Sequence, residues 1–169
     1  MGVPSMVATF ALAAALAQPA HRASSPTNAF LRDFAGTWSC RAPGQPASRW
    51  RIARVRGSRW VRVDWGLSAA GIPAGSAFVG YITQRQRWVY RDFHADGSYA
   101  NLHGVRAGDG TWSWTGPYYA ANAKAGSAPL EGLITWKRID SRHIARTFMQ
   151  RLNGRTIPDG SDRCTLPHE

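Results

Sequence analysis

The sequence predicts an all-β protein: a single antiparallel, up-and-down β-barrel of about ten strands, with a short helix before the first strand. Three observations favour this fold. Apolar and polar residues alternate in short runs from about residue 37 onwards. Turn dipeptides such as Asp96-Gly97 and Asn153-Gly154 separate the runs, and no helical pattern lies between them. Sequential hairpins favour closure into a barrel, because closure removes exposed strand edges.

The chain of 169 residues has the length of one folded domain, and its N-terminus differs from the rest. Residues 1–17 (to about 20) form the one sustained apolar run and end in Ala15-Leu16-Ala17, a small-x-small motif typical of signal-peptide cleavage. No Lys or Arg precedes this run, and a frayed apolar tail is the alternative. We therefore expect a cleaved signal peptide, a linker over 18–29, a barrel domain over 30–169, and a periplasmic or secreted location.

A short helix is expected immediately before the barrel. Ser25 can cap it, Pro26 suits its first position, and Gly36 ends it after Phe34. The alternating runs then predict strands near residues 37–42, 48–56, 59–67, 77–84, 87–94, 98–106, 111–119, 130–139, 142–152 and 161–166.

Hairpin pairing predicts which face of each strand lies inside. A two-residue turn at Gly57-Ser58 places Arg51 opposite Asp64 on one face, while the other face is apolar. One-sided burial predicts that the apolar face is internal. Its members are Trp50, Ile52, Val61, Val63 and Trp65.

The same treatment of the next hairpins predicts a ligand site. A two-residue turn at Asp96-Gly97 and an even loop around Gly108 bring aromatic and polar side chains to one face of three strands. An odd-length loop would invert one strand, because side chains alternate with period two. We expect nine residues to line the interior and bind a ligand: Trp88, Tyr90, Asp92, His94, Tyr99, Asn101, His103, Trp112 and Trp114.

The chain has only two cysteines, Cys40 in the first predicted strand and Cys164 in the last. Cysteines of exported chains usually pair, because oxidising compartments preserve disulfides. We expect a disulfide that joins the two ends of the sheet. Two unrelated buried thiols are the alternative.

Several short motifs resemble those of lipocalin-like (calycin-type) barrels, specifically small secreted bacterial proteins mostly without an assigned activity. They are the helix before Phe34-Ala-Gly36-Thr-Trp38, Phe78-Val-Gly80-Tyr81 with Arg87-Trp88-Val89, Asp96-Gly97-Ser98-Tyr99, and the closing Cys164-Thr165. The resemblance implies that Trp38 packs across a closed base and that a late arginine, Arg163 or Arg151, lies over it. It also implies a bond between the Gly-x-Trp-x-Cys strand and the last strand.

Cofactors are not expected. Nitrobindins, heme-binding barrels of similar size, carry Gly-x-Trp-x-Gly-x-Gly, but here Ser39-Cys40-Arg41-Ala42 follows Trp38 and no late histidine is placed as an axial ligand. Both departures count against heme. The sequence has no Cys-x-x-Cys and no His-Glu-x-x-His, so we predict no metal site.

Three functions stay open at this stage. The first is binding of a small hydrophobic or aromatic ligand in the barrel, against the alternative that the aromatics merely fill the core. The second is binding to an anionic envelope surface, lipid or polysaccharide, since the net charge is +11 and comes almost wholly from arginine. These arginines are scattered, so no dedicated nucleic-acid site is expected.

The third possibility is a small enzyme of isomerase or hydrolase type that uses Asp92 and His94. No Gly-x-Ser-x-Gly motif occurs, and both cysteines are expected to be oxidised, so we predict no catalytic residues. The ligand and the oligomeric state are left open.

Overall fold

The computed structural model of the protein describes residues 27–167, apart from the side chain of Asp159. The predicted signal peptide 1–17, linker residues 18–26 and the predicted helix cap at Ser25 and Pro26 lie outside this range. Across the described residues, no helix is long and apolar enough to cross a lipid bilayer.

The described chain forms one closed antiparallel barrel of ten strands, preceded by one short α-helix, and this confirms the predicted fold class. Each strand pairs with its neighbours in sequence, and the last strand pairs with the first. The elements are α1 (Thr27–Phe34), β1 (Gly36–Arg41), β2 (Ser48–Arg54), β3 (Val61–Leu67), β4 (Gly75–Ile82), β5 (Arg87–His94), β6 (Tyr99–Arg106), β7 (Trp112–Tyr119), β8 (Leu130–Arg138), β9 (His143–Leu152) and β10 (Arg155–Thr165).

β10 begins at Arg155, about six residues earlier than the sequence predicts. The stretch Pro158-Asp159-Gly160 resembles a turn in sequence, but in the structure it is an irregularity in the pairing of β10 with β9. Proline lacks an N–H donor and is tolerated at such irregularities and at strand edges. β1 pairs only with residues 163–165 of β10, so Pro158 has one neighbouring strand rather than two.

Helix α1 closes one end of the barrel, which we call the lower end. The ring of Phe30 lies 5.2 Å from Trp112 and 6.0 Å from Trp136, and Phe34 lies 5.4 Å from Trp136. These aromatic side chains are fully buried. Burying an aromatic side chain stabilises a fold by roughly 1.5–3 kcal/mol, so the lower end is a packed core.

Trp38 follows the helix and lies at the same end. It is completely buried, and its indole Nε1 donates a hydrogen bond to the carbonyl oxygen of Phe34 at 2.9 Å. The arginine implied by the resemblance is neither Arg163 nor Arg151. Arg163 is an exposed residue, and Arg151 pairs with Glu131 on the outer surface, because both occupy outward positions of their strands.

A different arginine fixes the C-terminus of α1. Arg138, at the end of β8, donates to the carbonyl oxygen of Asp33 at 2.6 Å, and such donors satisfy the last carbonyls of a helix. The carboxylate of Asp33 accepts hydrogen bonds from Trp112 Nε1 at 2.9 Å and from Arg106 Nε at 3.0 Å. These contacts tie the helix to β6, β7 and β8.

The two cysteines form the predicted disulfide. Cys40 and Cys164 are paired directly across β1 and β10, with Cα atoms 3.9 Å apart, and no free cysteine occurs in the described chain. They are 124 residues apart in sequence. The bond therefore fastens the seam at which the barrel closes.

Candidate functional site

The turn between β5 and β6 decides which residues face the interior. The N–H of His94 donates to the carbonyl of Ser98 at 2.9 Å, so three residues rather than two form the loop. Gly97 has φ +89°, the left-handed conformation that ends a three-residue hairpin loop and that glycine adopts without strain. Phe93 therefore pairs with Tyr99.

Because of this one-residue shift, the predicted inward orientation of three site residues is wrong. The side chains of Tyr99, Asn101 and His103 lie on the outer face of β6, where all three are exposed. The interior positions of β6 are occupied instead by Ala100, Leu102 and Gly104. The prediction failed because side-chain direction reverses with every residue of shift.

The turn between β6 and β7 also has three residues in its loop. This second shift of register restores the predicted orientation of the side chains in β7. The N–H of Ala107 donates to the carbonyl of Thr111 at 2.8 Å, and Gly110 has φ +82°. This loop also has an odd number of residues, three, where an even number was expected. The two shifts cancel along the chain, so Trp112 and Trp114 face the interior as predicted.

The six inward residues of the predicted set occupy two levels. Trp88 and Trp112 lie near α1, with rings 4.6 Å apart, and belong to the packed lower end. The other four are Tyr90, Asp92, His94 and Trp114. Asp92 and His94 follow Trp88 along β5, so they lie towards the opposite, upper end of the barrel.

An aromatic wall lines the upper interior. It consists of Trp50, Trp65, His94, Tyr118 and Phe148, all partly buried except Trp50, which is buried. Successive ring centroids are 6.2, 5.3, 6.3 and 5.6 Å apart in that order. Each separation is within the range of favourable aromatic contact. The wall thus forms a continuous aromatic surface that reaches solvent at the upper end.

Close packing of Trp65 fixes one side of this wall. A Cβ at Gly75 would lie 2.3 Å from the Trp65 ring, so only glycine leaves room for the indole in this position beside β4. Next to it, the neighbours of Asp92 across β4 and β6 are Ala77 and Ala100. Small residues beside the carboxylate leave it without a hydrogen-bond donor from either adjacent strand.

Arg146 completes the wall and was missed in the sequence analysis. Its guanidinium carbon lies 5.4 Å from the Trp50 ring centroid and 5.8 Å from that of Phe148, distances typical of cation–π contact. Its Nη1 donates to Asp162 Oδ2 at 3.1 Å. Burial alone would lower the pKa of Arg146, but nearby Tyr90 and the carboxylates of Asp162 and Asp92 raise it.

The positions of Arg146, Tyr118 and Phe148 follow from strand alternation. Tyr118 shares parity with Trp112 and Trp114 in β7, and Arg146 and Phe148 share parity with buried Ile144 in β9. The sequence did not indicate that this face of β9 is internal, because one-sided burial predicts that a charged residue such as Arg146 faces solvent.

Asp92 is the least satisfied of these groups. It is 1% exposed, and neither carboxylate oxygen has a hydrogen-bond partner. His94 Nε2 lies 3.3 Å from Asp92 Oδ2, close enough for an ion pair but not aligned for a hydrogen bond. Burial, with a smaller effect of the charge on Asp92, raises the pKa of the Tyr90 phenol far above its ordinary value.

Unpartnered polar atoms are concentrated in the interior. Among the described residues, seven buried side-chain nitrogen and oxygen atoms have no hydrogen-bond partner. All of them belong to inward-facing residues: Tyr90, Asp92, His94, Trp114, Trp136 and Arg146. A buried polar atom without a partner costs roughly 1–3 kcal/mol, so such atoms are expected where a polar molecule supplies the missing contacts.

A surface cleft of about 580 Å³ borders this interior from the side. It lies where β1 ends, between the loop at Ala42-Pro43 and the strand pair β9–β10. Phe148 and Gly160 line it, and both occupy inward positions as a pair across β9 and β10. The upper interior is therefore bordered by solvent beside the seam as well as at its end.

The described residues contain no group of three or more His, Cys, Asp or Glu side chains arranged to hold a metal ion. Comparison with protein-family models and with curated proteins found no match to this chain.

Proposed function

We propose that this protein is an exported, lipocalin-like barrel that binds a small hydrophobic or aromatic ligand in its upper interior. One observation carries the proposal: among the described residues, six of the seven unpartnered buried polar atoms belong to inward-facing residues above the packed lower end, beside an aromatic wall that reaches solvent. An apolar lining with a few convergent polar groups is the usual character of a small-molecule site.

The level of the site within the barrel supports binding rather than simple packing. Four aromatic residues near α1 are fully buried and contact one another, as a core does: Phe30, Phe34, Trp112 and Trp136. Trp65, Tyr118 and Phe148 are only partly buried at the other end. Large aromatic side chains that stay partly exposed inside a barrel supply apolar area that a ligand can cover.

The disulfide is consistent with an oxidising location. Disulfides persist in the periplasm and outside the cell and are rare in the cytosol. The Cys40–Cys164 bond therefore supports export, which would proceed through the predicted signal peptide.

The proposal is tested by displacement of an environment-sensitive hydrophobic dye with a panel of neutral aromatic compounds. Tyr118 and Tyr119 provide a matched pair, because they are neighbours in β7 and point to opposite sides of the sheet. We expect Tyr118→Ala to weaken binding about tenfold or more, by loss of aromatic contact area. Tyr119→Ala should bind as the unmodified protein does.

Stability measurements complete this test. We expect Trp112→Ala to lower the free energy of unfolding by about 3–5 kcal/mol, because it removes a fully buried aromatic residue beneath α1. Tyr118→Ala should cost much less. If no compound in the panel binds and Tyr118→Ala destabilises as much as Trp112→Ala, the upper aromatics are only core and the proposal fails.

We assign no catalytic step to Asp92 and His94. His94 Nε2 lies 3.3 Å from Asp92 Oδ2, and both side chains are placed to contact a ligand in the upper interior. If a hydrolase or isomerase activity were found and the Asp92→Ala/His94→Ala double variant abolished it, an enzymatic role would replace simple binding.

A second candidate function is binding to an anionic lipid surface, favoured by an aromatic row on the outer face. This row runs across β4 to β7 and consists of Phe78, Phe93, Tyr99 and Tyr119. Phe93 is 48% exposed and Tyr99 42% exposed. Arg91, exposed and paired in register with Phe78, adds positive charge to a protein of net charge +11. Aromatic and basic side chains together are typical of membrane interfaces.

Vesicle binding tests the second candidate. Affinity for vesicles containing phosphatidylserine should fall steeply as salt rises, because exposed charges are screened over about 10 Å at 0.1 M. Phe93→Ala/Tyr99→Ala should weaken it, whereas Tyr118→Ala should not. Affinity that is independent of salt would rule out this function.

A further inference from the structure

We infer that the ligand of the upper interior is an amine that is protonated at neutral pH and carries an apolar or aromatic body, held by the carboxylate of Asp92. This inference rests on the proposed ligand site and specifies its chemistry.

No cation of the described interior satisfies Asp92. The guanidinium of Arg146 donates to Asp162 at 3.1 Å, and no hydrogen bond joins it to Asp92. His94 Nε2 lies 3.3 Å away but outside hydrogen-bond geometry. A buried carboxylate is stabilised only when it is paired and hydrogen-bonded, so Asp92 is suited to an N–H donor brought by a ligand.

The other acidic side chains in the barrel region show that this situation is exceptional. Buried Asp33 accepts hydrogen bonds from Trp112 and Arg106. Buried Asp64 accepts them from Arg62 and from a neighbouring serine. Asp92 is as buried as Asp64, yet it has no such partner among the described residues.

The charge of the upper interior also selects a cation. Two carboxylates (Asp92 and Asp162) face one guanidinium (Arg146) and the imidazole of His94 in this space. An anionic ligand would approach two carboxylates in a site of low polarity and be repelled. A cation would reduce the uncompensated charge.

The aromatic wall provides the second element of recognition. Trp65 and Tyr118 lie on either side of His94, with centroids 5.3 and 6.3 Å from the imidazole, directly above Asp92 along β5. Aromatic faces attract an ammonium group and also contact an apolar body. A carboxylate beneath such a wall therefore matches an arylalkylamine or a similar amphipathic amine.

The test uses 2-phenylethylamine and 2-phenylethanol, which share a ring and a chain length and differ in the ammonium group. Binding is measured at pH 7 by calorimetry, with phenylacetate as the anionic comparison. We expect the amine to bind about tenfold more tightly than the alcohol, because hydrogen bonds to charged groups are the stronger ones. Phenylacetate should bind most weakly.

Asp92→Asn retains the shape of the side chain and removes the charge, and it should abolish the preference for the amine. Asp109→Asn is the control, since it removes an equal charge from an exposed turn beyond the lower end and should leave the preference unchanged. Asp92→Asn is expected to fold, because it removes an unpaired buried charge. The comparison of amine and alcohol on the unmodified protein tests the inference without any variant.

The outcomes separate this inference from the proposed function. Equal binding of the amine and the alcohol, unchanged in Asp92→Asn, would overturn the amine assignment and leave a neutral ligand site. Tighter binding of phenylacetate than of the amine would overturn it in the same way. If none of these three probes binds and no compound of the neutral aromatic panel binds, the proposed function itself is overturned.

Discussion

At the scale of single residues, three carboxylates are buried in the described part of the chain, and their surroundings differ. Asp33 and Asp64 have hydrogen-bond donors from several directions, and these contacts hold the helix and the outer face of the sheet. Asp92 has none. Charges that stabilise a fold are paired, whereas an unpaired buried charge is commonly associated with a functional site.

Asp64 provides a test of this view through pH. Burial alone would raise its pKa, but hydrogen bonds from Ser76, Arg62 and Arg51 outweigh burial and lower the pKa below 3.8. A carboxyl whose pKa is lower in the folded than in the unfolded chain stabilises the fold above its unfolded pKa. That contribution is lost as the pH falls through the folded value.

We therefore expect the free energy of unfolding to fall more steeply below about pH 4 in the unmodified protein than in Asp64→Asn. At pH 7, Asp64→Asn should be less stable by about 1–3 kcal/mol. Urea unfolding from pH 2 to pH 7 measures both effects. Glu131→Gln, in a half-exposed pair with Arg151, is the control and should change little. Parallel pH profiles for Asp64→Asn and the unmodified protein would contradict the prediction.

At the scale of elements, two three-residue turns determine the inner surface. The turn before β6 and the turn before β7 each place a glycine, Gly97 or Gly110, in the left-handed region. Their combined effect turns the polar side chains of β6 outwards and returns the tryptophans of β7 to the interior. A change of one residue in either turn would exchange a buried face for an exposed one.

The turn before β7 contains two glycines, Gly108 and Gly110, whose substitution by alanine can be compared. Gly110 has φ +82°, whereas a Cβ at Gly108 would meet nothing within 4 Å, and Gly108 does not have a positive φ. We expect Gly110→Ala to lower the free energy of unfolding by about 1–2 kcal/mol, the cost of a left-handed alanine. Gly108→Ala should be neutral or slightly stabilising, because it restricts the unfolded chain. Equal effects of the two substitutions in thermal unfolding would contradict this account of the turn.

At the scale of the whole molecule, the seam between β1 and β10 is the shortest strand pairing in the barrel. It is a register of three residue pairs, with the disulfide at the central pair. The β9–β10 ladder is far longer. The covalent bond thus compensates for a short strand pairing at the only place where the two ends of the sheet meet.

We expect the Cys40→Ser/Cys164→Ser variant to lose about 4–5 kcal/mol of unfolding free energy, the value that the chain-entropy model gives for a loop of more than 100 residues. Strain in the folded state would reduce this figure. The measurement is urea unfolding with and without a reducing agent. The reducing agent should destabilise the unmodified protein and leave the double serine variant unchanged. Insensitivity of both proteins to reduction would show that the seam is held by strand pairing alone.

The sequence alone was sufficient for the architecture, because strand positions depend on local alternation and on turn residues. Nine of the ten strands lie within about two residues of their predicted positions, and β10 differs because a proline-glycine stretch forms an irregularity rather than a turn. The link between the first and last strands followed from the cysteine count and was confirmed. These features are encoded by residues close together or by residue type.

The composition of the interior was decided only by the tertiary structure. Whether Asn101 or Leu102 faces inwards depends on the conformation of Gly97, and a single residue of loop length reverses the answer. Asp92, Arg146 and Tyr118 face the same interior only because the barrel closes and brings β5, β7 and β9 around one space. Alternation along a strand specifies two faces, but only the closed sheet determines which side chains from distant strands share the same interior.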